Sequence, residues 1–170
     1  MNAIKTMGTF LVACFLFTCS NEPLAVDESG SISARYGTQL KYNCSLLGSN
    51  EVPANNSDAR GHANITISND ESSISYKITA SKIDNVTAAH FHYAPPGLNG
   101  GVVATLYSNP NQPSGPNHGV LVNGVINSND VTGAFDGDIS ALIEAIRSGV
   151  VYINVHTLDY PTGEIRGQVD

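Results

Sequence analysis

Basic residues are scarce in this chain of 170 residues, which has 8 Lys and Arg against 15 Asp and Glu and a formal net charge of −7. The basic residues also stand singly rather than in clusters. Because nucleic acid and anionic membrane surfaces are bound by clustered Lys and Arg, the sequence argues against both as partners. An acidic surface suits an extracellular protein, and it favours cations over anions as ligands.

Cysteine is scarce as well, with three residues in the chain. Cys14 and Cys19 lie in an N-terminal segment that we expect to be removed, which leaves Cys44 without a partner for an internal disulfide. The remaining chain, about 150 residues, is long enough to bury one sizeable core without such a bond. We therefore predict that Cys44 is a small buried hydrophobic residue; a reactive or intermolecular thiol is the alternative.

Long apolar runs are missing beyond the N-terminus, so no transmembrane segment is expected. Residues 1–20 are typical of a secretory signal peptide, with Lys5 ahead of an apolar run at residues 7–17. We predict cleavage after Ser20 and a secreted protein, either extracellular or periplasmic. In a second interpretation the same segment is a degraded lipobox, and Cys19 anchors the protein through a lipid.

Most catalytic motifs are absent too. The chain has no Gly-x-Ser-x-Gly, no His-Glu-x-x-His, no phosphate-binding loop and no dinucleotide fingerprint. A glycosidase needs two carboxylates in one cleft, and nothing in the sequence brings together two of Glu51, Glu144 and Glu164. The sequence thus argues against a hydrolase.

The pattern that is present is that of an all-β protein. Residues 21–37 are polar and aperiodic, which predicts a flexible N-terminal segment. From residue 38 onward, apolar and polar residues alternate between turns rich in Gly, Pro and Asn. The predicted strands are 39–47, 62–68, 73–79, 88–93, 102–107, 119–126, 150–156 and 163–169. Such a series indicates one domain over 38–170, an antiparallel, Greek-key-like β-sandwich or barrel of about seven or eight strands.

One helix is predicted over about 139–148. Asp138 is placed as its N-cap, and Gly149 follows its end. Apolar residues recur on one face at the helical spacing: Ile139, Leu142, Ile143 and Ile146. We expect this face to cover the sandwich.

Three histidines are candidate metal ligands. His90 and His92 alternate with Phe91 and therefore share one face of a strand, and His156 lies on the matching face of a later strand. The other face of the first strand is predicted to enter the core with Ala89, Phe91 and Tyr93. Because imidazole is a common ligand of copper, zinc and nickel, the group is either a metal site or a polar patch.

The remaining polar candidates are less specific. His118, which we place in a loop, is a candidate fourth ligand, and His62 is expected to be an ordinary surface residue. If a site exists, Asn154 or Glu164 is expected to hydrogen-bond to its imidazoles. Glu164 also shares a strand face with Arg166. We therefore expect Arg166 either to form an exposed ion pair with Glu164 or to donate hydrogen bonds to loop carbonyls.

Four segments match the pattern for N-glycosylation, Asn-x-Ser/Thr. They support an exported protein without establishing that any is modified. The acceptor residues are Asn43, Asn55, Asn64 and Asn85.

Several short motifs together resemble the CHRD domain, the module first described in chordin. The resemblance covers nearly all of the chain after residue 38 and implies a secreted β-sandwich-like module that binds an extracellular protein, a glycan or a cell surface. The motifs are GSNEVP at 48–53, AHFH at 89–92, GGVV at 100–103, GVVYINVHT at 149–157 and GEIRGQ at 163–168.

A more distant resemblance is to the copper-zinc superoxide dismutases, which are also β-sandwiches. In that family copper is held by a His-x-His strand, a loop His and a late His, and an Arg guides the anion. The residues in that order here are His90, His92, His118, His156 and Arg166. The zinc subsite and the disulfide of that family have no counterpart. Two hypotheses therefore stay open: an extracellular binding module with a copper or zinc site, and a copper-dependent redox enzyme of the dismutase type.

Overall fold

The computed structural model describes residues 40–111 and 115–170. The predicted signal peptide, the lipidation site at Cys19 and the segment 21–37 lie outside these residues. Eight strands alternate with turns, and the strands are β1 (Lys41–Leu47), β2 (Arg60–Ile67), β3 (Ile74–Ile83), β4 (Val86–Tyr93), β5 (Gly101–Ser108), β6 (Asn117–Ile126), β7 (Val151–Thr157) and β8 (Ile165–Gln168). The described helices are α1 (Ile139–Arg147) and three short 3-10 turns, at Gly48–Asn50, Ser128–Asp130 and Gly133–Phe135.

All eight strands belong to one antiparallel sheet in the order β5-β4-β7-β8-β1-β2-β3-β6. The sheet curves into a nearly closed barrel whose edge strands are β5 and β6. Within the sheet, the last strand, β8, pairs with the first, β1. The predicted antiparallel all-β fold is confirmed. Each predicted strand is present. Alternation of apolar and polar residues is clearest in β1 and in the second half of β2, which bury one face.

The core follows from that alternation. The fully buried large side chains come from the inward face of the strands and from α1, and they are Phe91, Leu46, Ile65, Ile67, Ile74, Ile78, Ile126, Leu142, Ile143, Ile146, Ile153 and Ile165. Cys44 lies among them and is a buried free thiol, as predicted. Burial raises the pKa of this thiol to about 12, so Cys44 is protonated and unreactive at neutral pH.

Helix α1 begins and ends where the sequence predicts. The side chain of Asp138 accepts a hydrogen bond from the backbone N–H of Ala141 at 3.0 Å, and Gly149 has a positive φ of 66° just beyond the helix. Arg147, in the last turn, forms an ion pair of 2.6 Å with Glu71 in the turn between β2 and β3. No helix among the described residues is long and apolar enough to cross a membrane.

One core prediction is wrong. Tyr93 is 43% exposed, although its place in the alternation assigns it to the core. It is the last residue of β4, where the barrel wall ends, and its ring packs against Phe135 with the centroids 4.9 Å apart. The alternation therefore holds within β4 for Ala89 and Phe91 and fails at its end.

Candidate metal centre

The three predicted histidines meet on neighbouring strands. β4 and β7 pair antiparallel with His90 opposite Asn154, and His156 opposite Ala88, so His90 and His156 are diagonal neighbours on one face. Nδ1 of His90 lies 3.1 Å from Nε2 of His156. The ring of His92 is 5.7 Å from that of His90 and 6.4 Å from that of His156. One nitrogen from each of the three residues lies within 4.8 Å of the other two.

Backbone carbonyls orient two of the imidazoles. Nδ1 of His92 is 2.9 Å from the carbonyl oxygen of Gly100, and Nδ1 of His156 is 3.0 Å from that of Pro161. Since a carbonyl can only accept, each Nδ1 carries the proton, and Nε2 keeps its lone pair. This arrangement is typical of metal-binding histidines, whose second nitrogen is fixed by a hydrogen bond.

The surroundings keep the imidazoles neutral. Burial, together with the neighbouring His156 and His92, lowers the pKa of His90 to about 4. Burial also lowers the pKa of His92 and of His156, although the carbonyls of Gly100 and Pro161 oppose this effect. The side chain of Asn154, a predicted partner of the imidazoles, also opposes this lowering of the pKa at His92. Neutral imidazole is the form that binds a metal ion, so the group is ready to bind at neutral pH.

A stack of side chains supports His92 from one side. The ring of Tyr152 lies parallel to that of His92, with centroids 4.7 Å apart and an interplanar angle of 7°. The guanidinium of Arg166 lies 3.5 Å from the centre of the Tyr152 ring on its other side. Arg166 itself is 2% exposed. It donates to the side chain of Asn99 and to the carbonyl of Leu98, so it forms the predicted bonds to a loop and no ion pair with Glu164.

Two loops cover the outward faces of β4 and β7, and with them the histidines. Asn99, in the loop before β5, donates to the carbonyl of Val52 at 2.7 Å, and Asn50 donates to the carbonyl of Arg166 at 3.1 Å. Glu51, His92, Tyr152 and Asn154 are consequently buried. A pocket of about 370 Å³ remains between these loops and β7, and both His92 and His156 line it.

Glu51 is the part of this site that our sequence interpretation missed. It lines the same pocket, and burial raises the pKa of its carboxyl to about 7 against the opposing effect of Arg166. Gly163 makes room for it, because a Cβ at that position would meet the Glu51 carboxylate and the Asn154 amide. The sequence offers Glu51 only as one of several isolated carboxylates and as part of the GSNEVP motif, and neither feature shows that it faces the histidines.

The other predicted polar partners lie elsewhere. His118 is an exposed residue of β6, not of a loop; its Nδ1 accepts from the backbone N–H of Lys82, and it is not a member of the histidine group. His62 is partly buried on β2, also apart from the group. Glu164 accepts from Ser57 and Thr157 rather than from an imidazole.

The four candidate glycosylation residues differ in access. Asn43 and Asn64 are exposed and lie directly opposite each other on β1 and β2. Asn85 is partly buried at a turn with a positive φ. Asn55 uses its amide nitrogen internally, since it donates to the carbonyl of Glu164 at 3.0 Å.

The family model of the CHRD domain matches residues 42–169. The chain belongs to the CHRD domain family. The match extends from β1 to the end of β8, so the CHRD domain contains the whole barrel, the three histidines and the loops that cover them. No curated protein and no solved structure matches the chain.

Proposed function

We propose that this CHRD domain is an extracellular module that binds one copper or zinc ion at His90, His92 and His156. The observation that carries the proposal is the convergence of three imidazole nitrogens within 4.8 Å of one another. Metal–nitrogen bonds of about 2.0–2.1 Å put ligand atoms no more than about 4.2 Å apart. The nitrogens of His90 and His156 are already closer than that limit, at 3.1 Å. A movement of the His92 ring by less than about 1 Å would bring its nitrogen within the limit as well.

The donor set favours copper or zinc over magnesium or calcium. Three neutral imidazoles suit the borderline metals, whereas the hard cations take oxygen ligands. Three protein ligands also leave a coordination position open, as in catalytic rather than structural zinc sites. This open position is what keeps copper redox chemistry as a second candidate function. Arg166 gives that alternative no support as an anion guide, because its guanidinium is buried and engaged.

The first prediction is therefore metal binding by the untagged domain. We expect one Cu(II) or Zn(II) per chain in calorimetry and in metal analysis after dialysis. His90→Ala, His92→Ala and His156→Ala should each weaken binding by about 10-fold to 100-fold or more, since a lost ligand costs at least as much as a lost supporting contact. His62→Ala and His118→Ala are matched controls, because both histidines lie outside the group.

Two results would contradict the metal site. One is binding no tighter than micromolar, and the other is equal loss in the control variants. If an ion does bind, a superoxide assay on the copper form separates a binding module from an enzyme. Unchanged superoxide decay would leave the binding module as the function.

Export is the second part of the proposal. The CHRD family and the apolar N-terminal segment support a secreted protein with Asn21 as its first residue, or one lipid-anchored at Cys19. The outer face of the barrel is suited to a protein, glycan or surface partner, because it carries a row of exposed polar side chains across four strands: Asn43, Asn64, Lys77 and Asn123. The intact mass of the exported protein would show the cleavage site, any lipid, and any glycan at Asn43 or Asn64.

A further inference from the structure

Three buried polar atoms without a hydrogen-bond partner belong to residues that line the pocket beside the histidines. They are Glu51 Oε1, His92 Nε2 and Asn154 Oδ1. Each belongs to a residue that is more than nine-tenths buried. Buried polar groups in folded proteins are nearly always paired, so three such atoms around one pocket point to an absent ligand.

All three atoms are hydrogen-bond acceptors once the Glu51 carboxyl is ionised. The lone pair of His92 Nε2 is free because Nδ1 donates to Gly100. The atoms of Glu51 and Asn154 are a carboxyl and an amide oxygen. Acceptors are satisfied by a cation or by a donated hydrogen. In the proposed site the ion satisfies His92, and the other two acceptors still need a donor.

The protein does not supply that donor. Arg166 gives its hydrogen bonds to Asn99 and Leu98. The hydroxyl groups of Ser57 and Thr157 both donate to Glu164, so each oxygen of that carboxylate has a partner. Oε1 of Glu51, in contrast, has none. Since Gly163 has no side chain, the Glu51 carboxyl and the Asn154 amide lie directly against its backbone, which has no side-chain donor to offer them.

We propose that this pocket binds a small neutral molecule that completes the coordination of the ion and donates a hydrogen bond to Glu51. The inference rests on the proposed metal site, because it assigns His92 to the ion. The ligand class is that of protic nitrogen and oxygen donors, such as water, alcohols and imidazoles. A pocket of about 370 Å³ admits several non-hydrogen atoms, since one water molecule takes about 30 Å³.

A pair of probes tests the need for a donated hydrogen. Imidazole and 1-methylimidazole coordinate through the same kind of nitrogen, but only imidazole has an N–H to donate. Each probe is titrated into the Cu(II)-loaded domain at pH 8, above the pKa of about 7 of the Glu51 carboxyl, and binding is followed in the visible and electron paramagnetic resonance spectra. We expect imidazole to bind about tenfold more tightly, which corresponds to one net hydrogen bond.

Variants of Glu51 show whether the preference comes from the acceptor or from shape. Glu51→Met keeps the length of the side chain without its oxygens and should abolish the preference, whereas Glu51→Gln keeps a carbonyl acceptor and should retain it. Glu144→Gln, on the exposed side of α1, should leave the preference for imidazole unchanged. Each variant must first be shown to bind one copper ion.

The outcomes separate the two proposals. Failure of the unmodified domain to bind copper would overturn the metal site itself. If copper binds but neither probe changes the spectra, or both bind equally, the ligand pocket is overturned and the metal site stands. A preference for imidazole that persists in Glu51→Met would overturn the role of Glu51.

Discussion

Burial disfavours the charged form of both Glu51 and the histidines, and it therefore shifts their pKa values in opposite directions. For an acid, burial raises the pKa, here to about 7 for Glu51. The folded domain then holds a proton that the unfolded chain has lost above about pH 4.5. The folded state binds more protons between these two values, so Glu51 lowers the free energy of unfolding as pH rises through this window.

Replacing Glu51 by Gln should therefore stabilise the metal-free domain at pH 8 and leave it nearly unchanged at pH 4.5. Allowing for solvent screening of a carboxyl beside a pocket, we expect a gain of roughly 1–2 kcal/mol at pH 8. The difference in the free energy of unfolding between the variant and the unmodified domain is measured by urea unfolding at the two pH values, in the presence of a chelator. An equal effect at both values would mean that lost contacts, rather than a buried charge, determine the result.

At the scale of elements, Gly163 is the point where the turn between β7 and β8 packs against Glu51 in the covering loop 48–59. A Cβ at this position would meet the Glu51 carboxylate and would lie 2.9 Å from Nδ2 of Asn154. Its φ of 130° is also unfavourable for any other residue. Gly163→Ala should thus destabilise the domain by about 3 kcal/mol or more, through backbone strain together with overpacking.

Gly97 provides the matched control for that substitution. It has a positive φ of 79°, and a Cβ there would meet nothing within 4 Å. Gly97→Ala should cost only about 1–2 kcal/mol, the cost of the backbone conformation alone. Urea unfolding of the two variants compares these costs. Equal losses would show that the contact of Gly163 with Glu51 and Asn154 is unimportant.

The elements also show how far the sequence predicts this molecule. Strands such as β2 and β3 follow from alternation, and α1 follows from its spacing and from the cap at Asp138, because these signals are local. The convergence of His90, His92 and His156 follows from shared strand faces, although the pairing of β4 with β7 had to be assumed. The burial of Tyr152 and Asn154 could not be predicted.

That burial depends on the loops, which have no periodic pattern. Residues 48–59 and 94–100 cover the polar face of β4 and β7 through bonds between distant parts of the chain, such as that from Asn99 to Val52. A sequence does not show which loop lies over which strand. Glu51 was missed for this reason, and His118, which sits next to Pro and Gly residues, was placed in a loop when it belongs to β6.

At the scale of the whole molecule, the proposed metal site links β4 and β7 to the two loops whose carbonyls orient the imidazoles. The unfolded chain has no such arrangement, so an ion that binds only the folded domain must stabilise the entire barrel. At free Zn(II) one hundred times the Kd, the gain is about 2.7 kcal/mol. For a domain of this size, we expect a Tm increase of roughly 8–10 °C.

The pH dependence of this increase provides the sharper prediction. Protons compete with the ion only below the folded-state pKa values, and burial lowers these for all three histidines, to about 4 for His90. The Tm increase should therefore persist at pH 6, where free imidazole is largely protonated, and disappear as pH falls toward 4. Calorimetric scans with zinc and with chelator at pH 7, 6 and 4.5 measure it, and His118→Ala should show the same increase. Loss of the increase already at pH 6 would mean that the ion binds outside the buried site on β4 and β7.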